Sequence, residues 1–436
     1  MTQTVAIIGA GYAGLACAVE LARQGVRVTL FERSNVLGGR ARVVTRDDRR
    51  VDNGQHILLG AYTELLRLLR LTGVSPKVLE RLPLTLHVPG RMHLAAAPLP
   101  APLHLALGIV RAKGLDWSDR RALLRLMQWL RKRRFTVPAG MGVAELLRET
   151  AQTPRVVELV WVPLCVAALN TPAGEASAQV FANVLRDSLA ANAAASELLI
   201  PRTDLSELFP VQALRYLAVR RGRIHTAATI TGIEAGARGF RLAGDPAEGQ
   251  RYDHVVVAVA PYHAGVLLRS ASGCERLAAQ IDALEHEPIT TVYFALGDGQ
   301  RLPHPMIGLA DGPAQWAFDR GRLGGEPGLV ACVISARGPH QALSREALEL
   351  ATHRQLEHML QRRLPAPAWT LTITERRATF ACRPGVQRPD VRTPLPGLWL
   401  AGDYVASPYP ATLESAVRSG TTAAAAILRS AAPRRD

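Results

Sequence analysis

Residues whose types and spacing suit dinucleotide chemistry stand at the start of the chain. Gly9-Ala10-Gly11-Tyr12-Ala13-Gly14 follows the apolar run Val5-Ala6-Ile7-Ile8, and Glu32 closes a second apolar run from Val26 to Phe31. In this spacing the first glycine permits a tight turn, and the second lets backbone approach a pyrophosphate. The third lets a helix pack on the preceding strand. The helix N-terminus then offers unpaired N–H groups and partial positive charge to phosphates. Glu32 stands where a carboxylate accepts hydrogen bonds from ribose hydroxyls, and it would repel the 2′-phosphate of NADP. Gly9, Ala10, Gly11, Ala13, Gly14, Glu32 and the adjoining Arg33 are the expected first contacts of a dinucleotide.

Such a site needs a strand, a helix running to about Gly25 and a second strand. Further along, residues 222–233 read as a hairpin-like strand pair and 253–259 as a fully buried strand. Strands are expected over 288–296 and 328–336, and helices over 344–363 and 412–430. The alternation predicts an α/β fold. Its Rossmann-like nucleotide domain would be assembled from the discontinuous segments 1–90, 205–275 and 385–436. Residues 91–204 and 276–384 would form an α+β substrate domain with a mixed sheet and helices. No internal repeat is evident.

Length bounds this organisation: 436 residues bury a large core and suggest two or three domains. No apolar run approaches the ~20 residues of a spanning helix. The N-terminus enters a strand by residue 5 without a basic, then apolar, leader, so a cytoplasmic chain is expected. Five dispersed cysteines (Cys17, Cys165, Cys274, Cys332 and Cys382) predict reduced packing thiols, and neither a disulfide framework nor a metal site is expected. The net charge of +15 raises nucleic acid as a partner. Lysine occurs only three times and no nucleic-acid motif accompanies the arginines, so nucleic acid is not expected.

The segment 98–135 offers the basic charge a different use. Nine Lys/Arg stand against two Asp, and Leu123, Leu126, Met127 and Leu130 fall on one helical face opposite Arg120, Arg121, Arg125 and Lys132. This pattern suits either an interfacial helix on an anionic membrane or a helix packed on its own domain with a solvated basic face.

Leu37-Gly38-Gly39-Arg40, Asp52-Asn53-Gly54-Gln55-His56 and Gly397-Leu398-Trp399-Leu400-Ala401-Gly402-Asp403 resemble the FAD-binding signatures of the flavin amine oxidase and phytoene desaturase superfamily. That resemblance implies FAD as cofactor, with Gly38, Gly39 and Arg40 by its phosphates. Asp403 would bond a ribityl hydroxyl or a phosphate-bound water. Gly54, Gln55, His56, Gly402 and Leu413 would lie around the flavin end, and Ile230 would present backbone to the adenine.

Trp161-Val162-Pro163-Leu164-Cys165-Val166-Ala167-Ala168-Leu169-Asn170-Thr171-Pro172, Leu198-Leu199-Ile200-Pro201 and Tyr404-Val405-Ala406-Ser407-Pro408-Tyr409-Pro410-Ala411-Thr412 are similar to blocks of the hydroxysqualene dehydroxylase family, over nearly the whole chain. The resemblance implies loss of a hydroxyl from a C30 isoprenoid alcohol and gain of a hydride from reduced FAD, giving squalene for hopanoid synthesis. It also implies an electron donor that no second nucleotide fingerprint identifies, while the basic charge leads to an expected contact with the inner face of the cell membrane. A departing hydroxyl needs a proton donor, for which His56, Asp52 and Asp204 are candidates. Trp161, Leu164, Leu169, Asn170 and Phe181 are candidates for the substrate pocket. A carotenoid or phytoene-type desaturase, an amine oxidase and a flavin-free prenyl-lipid carrier are the rival readings.

Overall fold

The computed structural model describes residues 3–430 apart from 245 and 248; residues 1–2 and 431–436, the ends of two expected domain segments, lie outside the described residues. The centre is a five-stranded parallel sheet in the order Arg223–His225, Arg27–Phe31, Thr4–Ile8, His254–Val257, Leu398–Leu400. Stretches far apart in sequence therefore supply one sheet. Val5, Ala6, Ile7, Val255, Val256 and Val257 are fully buried, which explains their unbroken apolar runs: both faces of a parallel sheet are covered.

The helix Tyr12–Arg23 packs against the C-terminal helix Leu413–Ser430. Its entry turn depends on glycine. Gly9 has φ +107, and a Cβ there would lie 2.7 Å from the Ala258 carbonyl oxygen, while one on Gly14 would strike the Gly9 carbonyl.

The span 222–233 differs from expectation. Its first strand, Arg223–His225, joins the edge of the parallel sheet and does not pair with the strand that starts at Gly232. The Glu32 amide donates to the His225 carbonyl at 2.8 Å and the Ala228 amide to the Glu32 carbonyl at 2.9 Å. These bonds draw the chain along the end of strand Arg27–Phe31 instead of letting it turn back. The hairpin comes later, with Gly232–Gly236 antiparallel to Gly239–Ala243.

The second layer combines helices with a five-stranded sheet in the order Met306–Gly308, Trp316–Asp319, Leu329–Ser335, His286–Ala295, Thr370–Phe380. Its pairings, expected to be mixed, are all antiparallel. The helix Arg345–Leu360 starts at Ser344, whose hydroxyl accepts from the Ala347 amide. A two-stranded hairpin, Thr85–Val88 with Met92–Ala95, stands beside Met306–Gly308.

The basic segment forms two helices, Leu103–Arg111 and Trp117–Lys132, the second opened by a reciprocal cap between Asp116 and Asp119. Leu123, Leu126 and Leu130 are buried in the protein. Of the two readings of this helix, packing on its own domain is the one observed. The exposed apolar side chains lie earlier instead, at Leu99, Leu103, Val110 and Trp117. All five cysteines are buried and free.

Candidate active site

The glycine turn and the Gly38-Gly39 turn lie against each other. The Gly38 amide donates to the Ala10 carbonyl at 2.9 Å, and Gly11 pairs with Gly38 in a parallel bridge. A Cβ on Gly11 would meet nothing nearer than Gly39 Cα at 3.9 Å, so a strip of bare backbone is left for a ligand. The helix beginning at Tyr12 has no side-chain cap, which leaves its first N–H groups to an anion. Glu32 is held in place by the Ala10 and Ser34 amides, each donating to one carboxylate oxygen at 2.8 Å. Ile230 is buried on the segment that runs past Glu32, Ala13 is buried in the helix, and Arg33 is exposed.

At the far end of this cradle Arg40 Nη2 donates to Asp403 Oδ1 at 2.6 Å, joining the two distant signatures. Asn53 Nδ2 donates to the Arg40 carbonyl at 2.9 Å and Ser419 Oγ accepts from the Gly402 amide at 2.8 Å. Gly54 takes φ +88 close to Thr291. Leu413 opens the last helix. Three buried polar atoms in this region, Gln55 Oε1, the Tyr404 hydroxyl and His286 Nε2, have no protein partner. Burial of such groups is costly unless a ligand or water bonds them. With the bare glycine backbone, the uncapped helix and Glu32, they fit FAD, a long cofactor polar at both ends.

His56 Nδ1 lies 3.1 Å from the Gly54 carbonyl, so that nitrogen carries its hydrogen. Burial holds the imidazole below its usual pKa, and the ring has no second proton to give near neutrality.

Arg388 is a positioning residue that the sequence did not signal. Its guanidinium donates to the carbonyls of Asp403, Tyr404, Val405, Ser407 and Tyr409, and burial lowers its pKa to about 10. One planar donor group thus fixes the loop between the cofactor cradle and the last helix.

The same loop and the segment after His56 wall an apolar chamber. It encloses about 1160 Å³ of empty volume, part of it open to solvent, and its wall includes Ile57, Leu59, Tyr62, Leu86, Leu198, Met306 and Trp316. Leu164 and Phe181 line it, as the sequence suggested. Trp161 stands behind Phe181, edge to face at 6.2 Å, with its indole N–H bonded to Gln152. Leu169 is buried but is not among the lining residues.

Asn170 also departs from its expected role. It ends the helix Val162–Leu169 in a left-handed conformation, accepts from the Ala336 amide at 2.7 Å and donates to Thr379 Oγ1 at 2.9 Å. Those bonds tie the helix end to the antiparallel sheet and occupy the amide.

The two acidic candidates are structural. Asp204 caps the short helix Leu205–Leu208 and pairs with Arg50 at 2.8 Å. Asp52 is buried, accepts from the Leu205 amide at 2.9 Å and has its carboxyl pushed up to about 6 by burial.

One polar pair in the chamber wall is Asp187 with Tyr409, the phenol donating to Asp187 Oδ2 at 2.8 Å. Arg186 makes two bonds to the same carboxylate, at 2.7 and 2.9 Å. Burial raises the Asp187 pKa, but those bonds and the one from Tyr409 outweigh it and hold the carboxyl below its usual range. Burial, followed by the bond to Asp187, raises the Tyr409 pKa, so the phenol keeps its proton. The arrangement offers a phenol, held by a carboxylate, in a mostly apolar wall that also holds Tyr62, Ser188, Ser196, Thr412 and Glu414.

Residues 12–428 match the family described as flavin containing amine oxidoreductase. The chain is 28% identical to hydroxysqualene dehydroxylase of Zymomonas mobilis subsp. mobilis, with 96% of this chain and 97% of that protein covered. It is 29% identical to hydroxysqualene dehydroxylase of Rhodopseudomonas palustris, covering 98% and 99% of the two. Among solved structures an oxidoreductase from Methanosarcina mazei superposes with a TM-score of 0.74 at 17% identity, over 96% of this chain and 99% of the other. The fold, the cradle and these matches agree: the chain belongs to the flavin containing amine oxidoreductase family.

Proposed function

We propose that this flavoenzyme reduces hydroxysqualene, a C30 isoprenoid alcohol, to squalene. The observation that carries the reading is the apolar chamber whose wall contains the Tyr409–Asp187 pair. Full-length similarity to two hydroxysqualene dehydroxylases supports it. When bound, reduced FAD supplies the hydride that replaces the hydroxyl, and the hydroxyl leaves with one proton as water.

Glu32, the Gly9–Gly14 turn, Arg40 and Asp403 would hold the cofactor. The chamber walls exclude water and place the substrate, which keeps the electron-poor carbon from being hydrated. The Tyr409 O–H would turn from Asp187 Oδ2 to the departing hydroxyl and give up its proton there. Asp187 orients that phenol, while the positive charges of Arg418 and Arg186 offset part of the cost of leaving it charged. A desaturase removes hydride and needs no such donor, so the pair favours dehydroxylation. Each turnover then requires a separate electron donor.

In this reading the described residues of 1–90, 205–275 and 385–436 form the cofactor domain, and 91–204 with 276–384 form the substrate domain. Leu99, Leu103, Val110 and Trp117, with Arg111, Lys113, Arg120 and Arg121 around them, touch the cytoplasmic face of an anionic membrane. A lipid-dissolved substrate would enter there. The product assay is direct: the reduced holoenzyme given hydroxysqualene without oxygen should yield squalene. Desaturation of phytoene by the oxidised enzyme, with no squalene formed, would select the desaturase reading instead.

A further inference from the structure

Among the described residues one cluster has metal-ligand chemistry and lies outside the lining of the chamber: His87, His93 and His304. His87 and His93 face each other across the hairpin Thr85–Val88/Met92–Ala95, as a directly opposed cross-strand pair. Their Nδ1 atoms are 3.1 Å apart. His304 reaches them from the segment just before strand Met306–Gly308, with its ring centroid 4.5 Å from that of His87 and 5.5 Å from that of His93. One ligand atom from each ring lies within 4.8 Å of the others. Two nitrogens bound tetrahedrally to a cation at ~2.0–2.1 Å sit roughly 3.3 Å apart, close to the observed pair, and a modest turn of the third ring completes the set.

We propose that His87, His93 and His304 form a three-imidazole site for a divalent transition cation of the zinc class. Three imidazoles with half-buried rings and no thiolate among them suit such an ion better than calcium or magnesium, which take oxygen ligands. Arg322, whose charge is felt at His304, works against the cation and sets a limit on affinity.

The site has a structural consequence for the chamber. Side chains alternate along a strand, so Leu86, which lines the chamber, and His87 point to opposite faces. Met306, two residues after His304, also lines it. A cation would clamp the hairpin to the Met306 segment from behind and stiffen the chamber wall.

The test uses FAD-loaded enzyme without a histidine tag, stripped with chelator and titrated calorimetrically with zinc chloride. One saturable site of micromolar or tighter Kd is expected, weakened at least 10-fold in H87Q, H93Q and H304Q but not in H340Q. X-ray absorption of the zinc-loaded wild type should report three imidazole nitrogens, a readout that holds even where a variant fails to fold. Thermal unfolding of the wild type should rise by a few degrees with zinc. Absence of a saturable site, affinity unchanged in all three variants, or a zinc shell of oxygen ligands would overturn the proposal and leave a hydrogen bond between the two Nδ1 atoms.

Discussion

Tyr409 and Asp187 are 222 positions apart in sequence, yet the structure places them at 2.8 Å in one wall of an apolar chamber. If the phenol gives the proton that the leaving hydroxyl takes, Y409F should lower turnover by ~10²-fold or more while the flavin spectrum stays intact. D187N should cost less, because it removes only the group that orients the donor. Unimpaired turnover of Y409F, measured by squalene formation, would return the search to other donors. Asp52 gives a pH prediction of opposite character. Its carboxyl is an acid raised to about 6 from an ordinary value near 3.8. Its cost is therefore absent below the ordinary value, grows through the window between about pH 4 and 6, and is fully present above it, at up to ~1.4 kcal/mol per pH unit. D52N lacks this term. Its Tm relative to wild type should rise from pH 4.5 to pH 7, and a difference that stays constant with pH would contradict the assignment.

At the level of elements, local constraint decided what the sequence could reveal. The turn at Gly9 and the helix after it were legible because glycine spacing reports backbone geometry within a few residues. The wide π-helical turn Arg186–Ala190 was not. It breaks the 3.6-residue period and so brings Asp187, Ser188 and Leu189 together into the chamber wall. Periodicity likewise gave the face of helix Trp117–Lys132 but not its partner, and Leu123, Leu126 and Leu130 face the protein. Membrane contact, if made, falls to Leu103, 58% exposed, and Trp117, 63% exposed. The double variant L103S/W117S should lose most flotation with anionic vesicles and keep its flavin. Flotation equal to wild type would reject that patch.

Across the whole molecule, the parallel sheet draws on segments whose ends are nearly 400 residues apart, running from Thr4–Ile8 to Leu398–Leu400, and the bond from Arg40 to Asp403 closes the cofactor cradle between them. The cofactor signatures were readable because each is short and self-contained. The Tyr409–Asp187 pair was not, because it exists only once Arg388 has pinned the loop that carries Tyr409 against the turn that carries Asp187. The site thus rests on a long-range closure, with the cofactor cradle at one end and an apolar chamber beside it. The central claim is that reducing equivalents from the flavin end up in the hydrocarbon. Mixing enzyme reduced to the two-electron level with hydroxysqualene, under strict exclusion of oxygen, should reoxidise the flavin in step with squalene, one molecule per flavin. Flavin that stays reduced in the presence of the alcohol, or reoxidises without squalene, would contradict the account.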